Sequence, residues 1–324
     1  MSATVPAKLP VDKSTERQLA KGELREGTVS KRTKKRLTSR GATIAALIIA
    51  VLWTTPTFGL FITSFRPAGE INRNGWWTLF QNPGFTLQNY TDVLAAGNSQ
   101  LNLAGAFINS IAITLPATLI PLVIASLAAY AFAWIDFKGR NWIFIAVFAL
   151  QIVPLQMALV PLLSLFSRGL KIGSVQLFDG LGASGGYSQV WIAHTIFALP
   201  LAIFLLHNFV SEIPAELIEA ARVDGAGHGQ IFFRIVLPLT MPAIASFAIF
   251  QFLWVWNDLL VALVFADGNV APMTKLLADL TGSRGQDWNL LTSGAFISIL
   301  VPLIVFFALQ RFFVRGLLAG STKG

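Results

Sequence analysis

The sequence predicts an all-α, polytopic membrane protein with six transmembrane helices, and three observations predict it. Hydrophobic residues make up 54% of the 324 positions and charged residues only 12%, about half the roughly 25% charged share of a soluble domain. Six long apolar runs recur along the chain. What charge there is collects in one arm and in the connections: residues 1–40 hold 11 of the 24 Lys+Arg and 4 of the 16 Asp+Glu.

The runs come in order. Gly41 to Phe65 is the first, 25 residues without a charge, against the roughly 20 that a spanning helix needs. The others lie at about 104–133, 141–166, 187–210, 239–265 and 291–310, uncharged except for Asp258 in the fifth. Proline enters several of them, at Pro56, Pro116, Pro121, Pro154, Pro161, Pro200, Pro242 and Pro302. It removes a backbone donor and bends a helix, which membrane helices tolerate where a neighbour or a cavity satisfies the freed carbonyl.

Between the runs lie a polar loop at 66–103, a short basic turn at 134–140, a Gly-rich stretch at 167–186 and a charged loop at 211–238. An outer loop at 266–290 and a basic tail at 311–324 complete the chain, so three regions emerge: an arm (1–40), a six-span domain (41–310) and the tail. With the N-terminus inside, the inner segments carry 18 Lys+Arg and the outer ones 6. That asymmetry places both termini in the cytoplasm. It predicts a multi-pass membrane protein, with lipid as its surroundings.

The composition also excludes. The basic cluster Lys31, Arg32, Lys34, Lys35 and Arg36 sits just before the first run, where a membrane anchor belongs, so no nucleic acid is expected as a partner. The charged arm and the apolar run are both too long for a cleaved signal peptide. With no cysteine there is neither a disulfide framework nor a thiolate metal site. No Gly-x-x-x-x-Gly-Lys-Ser/Thr phosphate loop and no His-Glu-x-x-His pair occurs, so no catalytic residue, metal or cofactor is expected.

The loop at 211–238 carries the informative pattern. Ser211 can cap a helix and Pro214 suits its first turn. Ile213, Leu217, Ala220 and Ala221 can then share a face, and Asp224-Gly225 ends the helix. A second short helix is expected from about Gln230 to Val236, stopped by Pro238. With Glu212, Glu216, Glu219 and Asp224 against Arg222 and Arg234, the loop is too acidic to rest on an anionic leaflet.

Glu219, Ala220, Ala221, Gly225, Ile235, Leu237 and Pro238 stand at the spacing Glu-Ala-Ala, three residues, Gly, nine residues, Ile, one residue, Leu-Pro. This resembles the signature of binding-protein-dependent import permeases of the ATP-binding-cassette type. Thr63 to Pro67, Phe85 to Tyr90, Asn109 to Ile111, Ala128 to Phe132, Trp256 to Asp258 and the tail from Phe313 resemble the smaller permease subunit of maltose-type sugar importers. The likeness covers residues 41–324. It implies a subunit that pairs with a second permease subunit above two copies of a cytoplasmic ATP-binding subunit, fed by an extracytoplasmic sugar-binding protein. It also implies that the loop, Asp224 included, docks on the ATPase, and that Gly316, Gly320 and Lys323 of the tail reach toward it. By position, Asp267, Gly268, Asn269 and Met273 to Asp287 match a loop that enters the binding protein's cleft.

Within the spans, Trp254, Trp256, Asn257 and Asp258 can form a polar-aromatic surface suited to a sugar, or pack against the partner permease. His194, Gln151, Gln156 and Gln251 are expected to bond between helices. The expected function is uptake of an α-glucoside such as maltose or trehalose. A polyol or glycerol phosphate permease of the same type, or a stand-alone secondary transporter, are the alternatives.

Overall fold

The computed structural model describes residues 40–94, 102–181, 186–266, 268–281 and 287–319, with side chains as far as Gln310. Most of the basic arm, Asp267, Gly320 and Lys323 lie outside the described residues. Two units meet between Leu60 and Phe61, and the candidate site belongs wholly to the second.

Among the described residues, five helices are long and apolar enough to cross a membrane, or six where a bent pair counts as one span. The first, α1 (Arg40–Ser64), is apolar all round. Ile44, Leu47, Ile48, Val51, Leu52 and Trp53 are each more than half exposed, a surface that lipid rather than water solvates. The polar loop that follows is folded. It holds α2 (Ala68–Ile71), a 3₁₀ turn at Trp76–Phe80 and α3 (Gln88–Leu94). Buried Arg66 donates to the Asn74 carbonyl at 2.9 Å, and buried Asn89 donates to the carbonyls of Ser64 and Arg66 at 2.9 and 2.8 Å.

Helices α4 (Leu103–Trp134) and α7 (Tyr187–Ser211) are the most extensively packed pair in the protein. Asn102 caps α4, its side-chain oxygen accepting from the Gly105 amide at 2.8 Å. Ala117, Ala125 and Ala129 of α4 and Ala193, Ala198 and Ala202 of α7 are almost wholly buried. Ala125/Ala129 and Ala198/Ala202 repeat every fourth residue, so one face of each helix is free of bulk and the backbones come close.

The third span departs from the expectation of one continuous helix at 141–166. It is α5 (Arg140–Ala149), a 3₁₀ turn at Leu150–Ile152 and α6 (Leu155–Arg168), bent by 105°. Val153 is extended, with ψ of 118°, because a following proline disfavours the helical region. The other seven prolines singled out in the sequence lie inside helices that run on through them. The Gly-rich stretch that follows forms the exposed antiparallel hairpin β1 (Leu170–Ile172) and β2 (Val175–Phe178), turned at Gly173.

The charged loop contains α8 (Ala215–Val223) and α9 (His228–Ile231). A π turn at Phe232–Val236 then leads without a break into α10 (Leu237–Trp256). Next come α11 (Leu260–Phe265), a 3₁₀ turn at Gly268–Val270, α12 (Met273–Thr281) and α13 (Trp288–Ala319). The last helix continues nine residues beyond the expected end of the sixth span at 310, so the start of the tail is helical.

Candidate coupling site and polar groups of the spans

Pro214 occupies the cap position of α8, with φ −55° and ψ 130°. Ser211, expected to cap, is instead the last residue of α7, because the preceding apolar helix runs one residue further than its hydrophobic pattern. Glu216 lies in the first turn and Arg222 in the last, the arrangement a helix dipole favours. The end of α8 explains the spacing from Ala221 to Gly225. The Ala226 amide donates to the Ala221 carbonyl at 2.9 Å, and the Gly225 amide to the Arg222 carbonyl at 3.0 Å. These two bonds are a Schellman motif, which requires a left-handed residue between them. Gly225 supplies it with φ of +81°. Open space surrounds the position where a Cβ would stand, so the backbone angle, not crowding, selects glycine there.

The face of α8 differs from the one expected. Ile213 and Ile218 are buried, at 8% and 1% exposure, and Ala221 is half-buried. Leu217 and Ala220 face outward with Glu216, Glu219, Val223 and Asp224. Helical spacing permits either stripe. The core beneath, built from Tyr130, Leu206, Val210, Ile231, Phe232 and Val236, selects the stripe with Ile218. Burial of that side chain stabilises the loop by about 1.5–3 kcal/mol.

Polar bonds add to this anchor. Arg222 donates to the Trp134 carbonyl at 3.0 Å. The Tyr130 hydroxyl lies 2.9 Å from His228 Nδ1. The Trp134 indole donates to the Val210 carbonyl at 3.2 Å. The loop is thereby tied to the ends of both α4 and α7.

Of the remaining signature residues, Ile235 and Leu237 pack against the same core and Pro238 is exposed. Pro238 does not stop the helix as expected. It sits in the first turn of α10, where a missing donor is harmless, and the π turn before it widens the backbone. The span therefore runs unbroken from His228 to Trp256.

The four residues expected to form one polar-aromatic surface have different surroundings. The fifth span does not extend to 265: it ends at Trp256, and Asp258 lies in the break before α11. There Asp258 Oδ2 accepts from the amides of Val261 and Ala262 at 3.0 and 3.2 Å, the bonding of a helix cap. Trp256 is buried and donates to the Ser298 carbonyl at 3.1 Å. Asn257 is exposed and returns to the Leu253 carbonyl of its own helix. Trp254 lines a cavity. Successive helix positions lie about 100° apart, so Trp256 and Asn257 point elsewhere, while Trp254 and Asp258 both lie against His194, at 6.4 Å between ring centroids and 3.8 Å from Nε2 to Oδ2.

Gln251 does bond between helices, donating to the Ala117 carbonyl at 3.3 Å. His194 Nε2 lies 3.8 Å from Asp258 Oδ2. Gln151 and Gln156 are exposed instead. The described part of the loop at 266–290 is packed. Asn109 donates to the carbonyls of Asn269 and Ala271 at 2.8 and 3.0 Å, and Met273, Leu276 and Leu280 are buried. The loop-anchoring residues missed by sequence reasoning are Ile218, Tyr130 and His228. Apolar spacing could have found the first, but nothing local signals the other two.

Fold and site together define a multi-pass membrane transport subunit with an exposed, folded loop rooted in its helices. Residues 121–318 match the family model described as binding-protein-dependent transport system inner membrane component, and the chain belongs to that family. The matched segment includes the whole of the charged loop. The osmoprotective compounds uptake permease protein GgtD of Synechocystis sp. is 54% identical, over 86% of this chain and 91% of that one. The alpha-glucoside transport system permease protein AglG of Rhizobium meliloti is 50% identical, over 81% of this chain and 67% of that one. A crystal structure of a bacterial ABC transporter involved in the import of the acidic polysaccharide alginate shares the fold. Its TM-score is 0.64 at 18% identity, covering 86% of this chain and 98% of that one.

Proposed function

We propose that this chain is the permease subunit of an ATP-driven importer for a small α-glucoside such as maltose or trehalose. It forms half of the translocation path beside a second permease subunit. Two copies of a cytoplasmic ATP-binding subunit hydrolyse the ATP, and an extracytoplasmic sugar-binding protein delivers the cargo. Both termini are cytoplasmic, which the charge of the arm supports.

The observation that carries the coupling role is the continuity of the signature loop with a span. The exposed side of α8, with Glu219, Ala220 and Asp224, meets the ATPase, and Gly225 holds the elbow. Ile235, Leu237 and Pro238 lie on the continuous rod from His228 to Trp256, so displacement of the elbow moves the span with no slack joint. Arg222 and Tyr130 pass the same displacement to α4. The tail, with Gly316 in α13 followed by Gly320 and Lys323, runs toward the ATPase. The outer loop around Asn269 meets the binding protein.

The substrate class rests on the similarity to the alpha-glucoside permease. A second reading, a polyol-like osmoprotectant, is favoured by the similarity to the osmoprotective compounds permease. Vesicles holding the complete transporter, with its binding protein outside and ATP inside, test both. Accumulation of labelled maltose or trehalose is expected. Accumulation of a polyol alone moves the assignment to the second reading, and uptake independent of ATP and of the binding protein overturns the importer.

A further inference from the structure

Three features converge where the third span breaks. The first is the irregular backbone from Leu150 to Pro154. Its flanking segments are apolar, and non-helical backbone at membrane depth persists only where protein covers it or an aqueous cavity adjoins it. The second is Gln251, which is fully buried near the middle of the protein. Its Nε2 donates to Ala117, but its Oε1 has no hydrogen-bond partner among the described residues. A buried amide oxygen left without a donor is costly. The third is a half-enclosed cavity of about 170 Å³ lined by Gln151, Phe197, Leu201, Phe250, Gln251 and Trp254.

We infer that this cavity is a subsite for one ring of a neutral, polyhydroxylated solute on its way through the membrane. Resting on the importer reading above, it places a contact for the cargo on this subunit. Gln151 and Gln251 both line the cavity and supply donors and acceptors for ring hydroxyls, and a hydroxyl that reaches the buried Gln251 Oε1 satisfies that orphaned atom. Trp254, Phe197 and Phe250 offer aromatic faces to the apolar C–H side of a ring. The lining carries no charged side chain, which disfavours a phosphorylated cargo, since an anion there would lack a counter-charge. A lipid chain would leave the amides unsatisfied. The volume is below the roughly 300–1,000 Å³ of sites that enclose a whole ligand, so the cavity holds one ring while the rest of the cargo lies outside it.

The test compares Gln251→Leu, Trp254→Leu and Gln151→Leu in the complete transporter, reading uptake of labelled maltose and of labelled trehalose per unit of complex in the membrane. At subsaturating sugar, uptake is expected to fall about tenfold for Gln251→Leu, the effect of one good hydrogen bond. All three variants are expected to change the ratio of maltose to trehalose uptake, which a purely structural defect would leave alone. Gln151 lies on the exposed side of the bend, so its variant decides the matter even if the buried substitution prevents insertion. Wild-type rates and an unchanged ratio in the inserted variants overturn the subsite and leave the importer standing. Failure of the unaltered complex to import either sugar overturns the importer reading and the subsite with it.

Discussion

The α4–α7 pair and the bent third span have similar hydrophobic composition and opposite construction. In the pair, alanines repeat at close-packing intervals, six of them are shut away from any solvent, and two internal prolines in α4 do not interrupt the helix. In the third span, Ile143, Ile145, Ile152 and Met157 stand largely exposed, and one proline coincides with a 105° bend. Hydropathy is therefore a guide to residence in the membrane and a poor guide to rigidity. Rigidity follows from small side chains that let two backbones meet. A span without them is free to bend, and here it bends beside the unsatisfied amide of Gln251.

Substitutions can break or sharpen that contrast. The largest effect is expected where the loop roots in the rigid pair: Ile218→Ala should cost about 2–5 kcal/mol locally. Thermal unfolding of the detergent-solubilised transporter should fall, and ATP hydrolysis should lose its dependence on the binding protein. An unchanged unfolding temperature would show that the loop is not anchored by its buried stripe. Next, Ala125→Leu should cost about 1–3 kcal/mol by overpacking, whereas Ile145→Leu on the bent span should change stability by less than about 0.5 kcal/mol. Equal shifts in the two melting curves would remove the distinction between the regions.

Gly225→Val should cost about 1–2 kcal/mol through its left-handed backbone, with normal membrane insertion and lost uptake. Normal ATP-driven uptake by this variant would sever the elbow from coupling. Asp258→Ala should cost about 0.5–2 kcal/mol, confined to the cap of α11. It should be read as faster hydrogen exchange at the Val261 and Ala262 amides with only a modest loss of uptake.

Much of the charged loop was legible beforehand because its determinants are local. A helix that stops at Asp224 and turns through Gly225 is specified by hydrogen bonds within six residues. The reach of Pro238 was misjudged because the same residue ends a helix or begins one depending on the backbone before it, and the π turn at Phe232–Val236 leaves no mark in composition. Asp258 was misplaced for a related reason. A single carboxylate within an apolar run looks like a buried ligand until the helix is seen to end at Trp256 and a new one to begin at Leu260, whose first-turn amides Val261 and Ala262 it accepts from.

Counting spans and recognising the signature needed nothing beyond the chain, since transfer of apolar residues into lipid is additive along it and a Schellman turn is closed by near neighbours. The fracture of the third span, the turning of Ile218 rather than Leu217 toward the core, and the separation of Trp256 from Trp254 and Asp258 were settled by contact. Each depends on which surface lies opposite, and that surface comes from residues tens to hundreds of positions away.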